Sequence, residues 1–237
     1  MKQYLGWLYE QALNLNDQNV ADALAKTGPH KVLLDVGCWD GIKTQELAAA
    51  AKAETLLGIE PIKSAAKDAE KRGVKTYTVQ ADREKWPIND ESVDCVVSNQ
   101  VVEHLSDLDF FFSEAARVLK PGGYIISSTN NLSSWHNIGA LLFGWAPFDF
   151  TNSSSKTKGI GNPLAIHRGE TDERGSSWTH KCIYTAQWLN EWQELYGLKS
   201  KEVLGAGYHP LPPIIGKYFT RHCAFITVIA RKSRHGK

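Results

Sequence analysis

The residues of this chain with the greatest chemical potential sit at the ends of short apolar runs. In VLLDVGCWDG, residues 32–41, Asp35, Gly37 and Gly41 fall where a strand hands over to a helix. Glycines at such a turn let backbone amides approach a ligand, and the helix that follows aims the positive end of its dipole at it. The spacing reads D-x-G-x-W-x-G, with Trp39 at the centre, and departs from G-x-G-x-x-G. That departure disfavours a dinucleotide, whose pyrophosphate needs the second glycine of the fingerprint. An adenosine ligand without phosphates stays open. Glu60 ends the next apolar run, LLGIEP, about 20 residues beyond Gly41, the offset at which an acid meets ribose hydroxyls in βαβ nucleoside sites. Ala81, Asp82 and Arg83 close a third run with polar groups, and Asp82 could accept a hydrogen bond from an adenine amino group. His104 follows a fourth run, VDCVVSNQ, and is a candidate to face the reacting atoms.

These positions require a frame of alternating strands and helices. KVLLDVG, TLLGIEP, VKTYTVQAD, VDCVVSNQ and YIISSTN read as strands, with IKTQELAAAAK, KSAAKDAEKRG and LDFFFSEAARVLKPGG as helices or helix ends between them. An amphipathic helix opens the chain. Gly73 and the pair Gly122 and Gly123 stand where helix C-caps are expected. The alternation predicts a parallel sheet covered on both faces. From Asn131 to Trp178 the period is lost and Gly, Ser, Asn and Pro are frequent, which reads as a lid or binding insertion over 131–180 within a single domain spanning 1–237. TAQWLNEWQELYG then reads as a helix, and KEVLGAGY and CAFITVIARK as strands.

Composition excludes several classes of function. Lys and Arg number 27 against 26 Asp and Glu, a net charge of +1, so no global field recruits nucleic acid or an anionic membrane. Only the tail RKSRHGK, 231–237, is locally basic, as expected of a solvated terminus. Cys38, Cys95, Cys182 and Cys223 form no CxxC, and no histidine pair has ligand-like spacing, so the expectation is reduced thiols in a cytosolic protein and no metal. No stretch approaches ~20 apolar residues, which predicts no membrane insertion.

Five ordered stretches together resemble the class I S-adenosylmethionine-dependent methyltransferases: VLLDVGCWDG, the Glu60 strand end, QAD at 80–82, VDCVVSNQVVEHL at 93–105 and LKPGGYIISS at 119–128. The resemblance implies a Rossmann-like doubly wound α/β sheet of seven strands, mostly parallel with an antiparallel last strand. It implies S-adenosylmethionine as cofactor, with Asp35, Gly37, Cys38, Trp39 and Gly41 forming the loop near its methionine end. Glu60 with Pro61 would bind the ribose, Ala81, Asp82 and Arg83 would flank adenine, and Asn99 and Gln100 would line the floor. Trp39 replaces the middle glycine of the family's usual loop. The segment after the fifth strand commonly helps build the acceptor pocket in this family, which makes Trp135, His136 and His180 substrate-side candidates. Trp145 stands in the same segment.

SNQVVEHL replaces the NPPY-like tetrapeptide of some amino-methylating relatives, so the form looks like the small-molecule branch. A sugar, a lipid-linked intermediate or another metabolite is the expected acceptor, methylated on oxygen. If the acceptor is a hydroxyl, His104, His136 or His180 is the class of residue to take its proton, with His104 the catalytic candidate. Two rivals differ in kind. An NAD-dependent oxidoreductase shares the fold and the ribose acid but needs the missing glycine fingerprint, and a regulatory protein would hold the cofactor without catalysis.

Overall fold

The computed structural model describes residues 2–171 and 175–234; the end of the basic tail, 235–237, and residues 172–174 of the expected lid lie outside them. Seven strands form one sheet in the order β3-β2-β1-β4-β5-β7-β6. They are β1 (Val32–Val36), β2 (Thr55–Ile59), β3 (Lys75–Tyr77), β4 (Val93–Asn99), β5 (Leu119–Asn130), β6 (Leu198–Ala206) and β7 (Phe225–Lys232). β7 runs antiparallel to both β5 and β6 and every other pairing is parallel. This is the Rossmann-like sheet expected, with its last strand antiparallel. The strand order reverses between β1 and β4, so their carboxyl ends flank the crevice where open α/β sheets bind ligands.

Helices cover both faces because both faces of the sheet are apolar. On one side α1 (Lys2–Thr27) and α2 (Ile42–Ala51) bury Val20, Leu24, Leu47 and Ala51 against Leu33, Val97 and Ile126. On the other, α4 (Leu108–Val118) and α6 (Ala186–Leu195) bury Phe111, Phe112 and Leu189 against Leu34, Val96 and Ile125. α3 (Lys63–Lys71) places Ala69 against Cys38 and Val74. α5 (Trp135–Leu142) follows β5 directly. Asp107 caps α4 by accepting from the Phe110 amide, and Thr185 caps α6 by accepting from the Trp188 amide. Gly73, with φ +83°, follows the α3 C-cap as expected.

Three boundaries differ from the sequence expectation. The third strand is Lys75–Tyr77 only, since residues 78–82 turn out of the ladder into the ligand crevice. Gly122 and Gly123 do not cap a helix. α4 ends at Val118, and Leu119 already pairs with Val93, so the glycines lie inside β5 at a register shift between Val93 and Cys95. The region 131–180, expected to be irregular, contains α5 and short 3-10 turns at Phe148–Phe150 and Gly175–Trp178.

A two-chamber candidate active site

A cavity of about 520 Å³ opens at the carboxyl ends of β1, β2 and β4. Its floor is the β1–α2 loop. Gly37 has φ +81°, and a Cβ there would stand 2.5 Å from Val101 Cγ2, so only glycine fits. Trp39 adopts a left-handed conformation that favours glycine, with φ +47°, and its amide donates to Glu60 Oε2 at 3.1 Å. Glu60 Oε1 accepts from the Ile62 amide at 2.9 Å. Each oxygen retains a second lone pair, so the carboxylate is rigidly aimed yet able to accept two further hydroxyl protons. Burial raises the Glu60 pKa, and the bonds from the Ile62 and Trp39 amides act against that rise. Beyond Glu60 the wall is apolar, with Ile59, Ile62, Ala81 and Leu105, and it ends at Asp82, whose Oδ2 accepts from the Ser106 amide at 2.7 Å. A buried acid, an apolar slot and a second acid at its rim form a set of hydrogen-bond acceptors and apolar wall that fits adenosine.

The same loop argues against a pyrophosphate. At the N-terminus of α2, Asp40 Oδ1 accepts the Ile42 amide at 3.1 Å, so an acid already stands where a phosphate would need free donors. Asp35 is buried and its Oδ2 accepts from Thr44 Oγ1 at 2.6 Å, tying β1 to α2. Burial pushes its carboxyl up to about 7, with the Thr44 bond opposing.

A second cavity of about 720 Å³ adjoins the first, and Gln100, His104 and Trp178 line both. Gln100 sits at a left-handed φ of +56°, held by its amide bond to the Ser128 carbonyl at 2.8 Å. The Trp178 ring meets Trp39 edge-on at 5.3 Å and His104 at 6.1 Å, forming the partition between the chambers. Five histidines line this larger chamber: His104, His136, His167, His180 and His209. Burial lowers the His104 pKa. Burial, then the charge of His136, lowers His209 to about 4. His136 Nε2 lies 3.1 Å from Asp149 Oδ2; burial alone would raise that carboxyl, but His136 and Asn137 hold it below the usual range. Tyr9 of α1 completes the wall as a neutral phenol, its pKa pushed up to about 12 by burial and by Asp149 and Glu103.

Of the cofactor-side residues expected from sequence, Gly37, Trp39, Glu60, Pro61, Ala81, Asp82, Arg83, Asn99 and Gln100 line the smaller chamber. Asp35, Cys38 and Gly41 do not line it. They build the loop from behind, with Cys38 packed on Ala69 and Val74 and Gly41 turning into α2 at φ +82°. Trp135, His136 and His180 all line the larger chamber with His104. Trp145 lies outside it and stacks on Phe143 at 5.1 Å. Sequence reasoning missed Tyr9, Asp149, Trp178 and His209. Only Asp149 carried a signal, as an acid between two phenylalanines in FDF.

With this geometry in place, comparisons with known proteins show what the chain is similar to. Residues 34–127 match the family described as Methyltransferase domain. A protein of Mycobacterium tuberculosis named as a probable S-adenosylmethionine-dependent methyltransferase is 32% identical over 114 residues, 48% of this chain and 41% of its own. The human mitochondrial ubiquinone biosynthesis O-methyltransferase is 32% identical over 146 residues, 52% of this chain and 38% of its own. The chain thus spans about two fifths of the length of the curated relatives it matches. Among solved structures, an S-adenosylmethionine-dependent methyltransferase from Mesorhizobium loti superposes with TM-score 0.60 at 16% identity, over 91% of this chain and 96% of that one. The [4+2]-cyclase SpnF superposes with TM-score 0.56 at 17% identity, over 92% of this chain and 82% of that one. Residues 34–127 thus match a methyltransferase domain, and the chain shares the fold of solved S-adenosylmethionine-dependent methyltransferases. The match over residues 34–127 implies S-adenosylmethionine as the cofactor.

Proposed function

We propose that this protein transfers a methyl group from S-adenosylmethionine to an oxygen of a small, partly apolar molecule. The observation that carries the reading is the pair of chambers sharing one wall, Gln100, His104 and Trp178. When bound, S-adenosylmethionine supplies a methyl group already activated on a sulfonium. The chain's own residues then hold, orient and exclude water. Glu60 and Asp82 fix the nucleoside by hydrogen bonds, and the β1–α2 loop closes around the other end. Trp178 and Trp39 fill the partition, so the acceptor has one line of approach. Such positioning can supply ~7–11 kcal/mol without a covalent step. The methyl group would pass to a lone pair of the acceptor oxygen, with the electrons of the broken carbon–sulfur bond left on sulfur. The hydroxyl proton must leave. His104 Nδ1 lies 3.2 Å from the Thr179 carbonyl, which requires a proton there and leaves Nε2 with a lone pair to receive one.

Calorimetry with S-adenosylhomocysteine, S-adenosylmethionine and NAD tests the cofactor. Binding of the first two and not of NAD is expected, and tight NAD binding without a response to S-adenosylhomocysteine would overturn the reading. Labelled methyl donor with a panel of hydroxylated acceptors then separates an enzyme from a protein that only holds the cofactor.

A further inference from the structure

We infer that Glu103, His104 and His180 form a binding site for one divalent cation of the Zn²⁺ class, placed where the acceptor oxygen enters. The inference rests on reading the larger chamber as the acceptor's. One ligand atom from each of the three side chains lies within 4.8 Å of the other two. The two imidazole rings stand 4.9 Å apart at 69°. Ligand atoms bound at 2.0–2.2 Å to one tetrahedral ion are about 3.3–3.6 Å apart, so the triad closes on an ion by side-chain movements of about 1 Å.

The groups behind the triad are those a metal site needs. His104 Nδ1 faces the Thr179 carbonyl at 3.2 Å, and His180 Nδ1 is bonded to the Asp149 carbonyl. A carbonyl only accepts, so both Nδ1 atoms carry protons and both Nε2 atoms keep lone pairs for a ligand. Glu103, 1% exposed, is oriented by Thr129 Oγ1, which donates to its Oε2 at 2.8 Å. All three ligands are therefore held by a second layer of hydrogen bonds, the arrangement that fixes tautomer and direction in metal sites. The Lys181 amide donates to the Glu103 carbonyl at 2.6 Å, pinning the strand of residues that carries His180 onto the turn that carries Glu103 and His104. Spacing in the chain hides the site, because two ligands are adjacent and the third arrives from a distant loop.

Two nitrogens and one carboxylate suit Zn²⁺ and its first-row neighbours better than Mg²⁺ or Ca²⁺, which take oxygen-rich shells. Three protein ligands leave a position open. His104 belongs to both chambers, so that position adjoins the place of the methyl donor. A hydroxyl bound there loses its proton closer to neutral pH, and His104 then serves as a ligand in place of receiving the proton itself.

The test uses the full chain stripped of metal by a chelator. Co²⁺ is titrated in while its visible absorption is followed, Zn²⁺ is added in competition, and S-adenosylhomocysteine binding is measured in parallel by calorimetry. One equivalent of Co²⁺, displaced by Zn²⁺, is expected. Glu103→Gln and His180→Ala should each weaken it at least about 100-fold while leaving S-adenosylhomocysteine affinity within about twofold. The variants alter different elements, so if one fails to fold by circular dichroism the other decides. No Co²⁺ or Zn²⁺ binding alongside normal S-adenosylhomocysteine binding would overturn the metal site and leave the methyl-transfer reading standing. Metal binding without S-adenosylhomocysteine binding would do the reverse. Wild-type metal affinity in a folded variant also overturns the site.

Discussion

Glu60 serves two purposes with one carboxylate. Its oxygens accept the Trp39 and Ile62 amides, which shapes the β1–α2 loop, and the residue lines the smaller chamber. Replacing Glu60 with alanine removes both contributions, so S-adenosylhomocysteine affinity should fall by about 1.5–3 kcal/mol, the scale of charged hydrogen bonds. Glu60→Gln keeps the shape and should lose less. Calorimetry on both variants checks this, and unchanged affinity in Glu60→Ala would show that the ribose is held elsewhere. At this scale the sequence was informative wherever a residue type is bound to a strand end. Glu60 and Asp82 were legible because an acid after an apolar run has few other reasons to be there. Asp35 was legible as important but not in its position, since only the fold shows that its carboxylate turns inward to Thr44. Trp39 was the least predictable, because its side chain gives no hint that it adopts a glycine's backbone angle.

Elements were legible where periodicity is strong and obscure where tertiary contacts choose the outcome. The alternating core of β1, α2, β2, α3 and β4 follows from pattern alone. LKPGG could have ended a helix, and the pairing of Leu119 with Val93 decided for a strand. α1 read only as amphipathic. Its Asn16 reaches into the sheet, donating to Asn99 Oδ1 at 3.1 Å and accepting from Ser128 Oγ at 2.7 Å, and this places Tyr9 in the wall of the larger chamber. The segment 131–180 supplies much of the lining of the larger chamber. Beyond α5 its chamber-lining part is held by backbone bonds of turns outside any α-helix or strand, among them the His180 amide to the Asn152 carbonyl at 2.8 Å. Such segments open at low free-energy cost. Hydrogen exchange over 151–171 should therefore be fast in the free protein and slow once S-adenosylhomocysteine binds, while β4 stays protected in both. Trp135, half exposed and bonded through Nε1 to the Tyr208 hydroxyl at 2.8 Å, lines the larger chamber and not the smaller. Trp135→Ala should lower turnover with cofactor affinity within about twofold. Protection equal to that of β4 in the free protein would make the segment core, and loss of cofactor binding in the variant would place Trp135 on the wrong side.

On the scale of the whole molecule, the fold gathers five of the chain's eight histidines at one cavity. They arrive from the turn after β4, from α5, from two places in the following loop and from the segment after β6. No local spacing announces this, so proton binding by the fold was not legible in the sequence. Its sign follows from burial. His209 has a folded pKa of about 4, below the ordinary 6.5, so between those values the unfolded chain binds a proton that the folded chain refuses. Its contribution to stability is intact above pH 6.5 and is lost as pH falls toward 4, about 3 kcal/mol across the window. His30 and His104, both lowered by burial, act in the same direction. Asp35 and Glu60, both raised by burial, act against them, because the folded chain holds protons there that the unfolded chain releases. The wild-type curve is therefore a composite, and comparison with His209→Gln isolates one member. Urea unfolding at pH 7, 6, 5 and 4 should show the variant losing less stability than the wild type, with the two curves diverging by about 2–3 kcal/mol at pH 4. Parallel curves would mean that His209 is solvated in the folded protein, and the acceptor chamber would then be wetter than its aromatic walls imply.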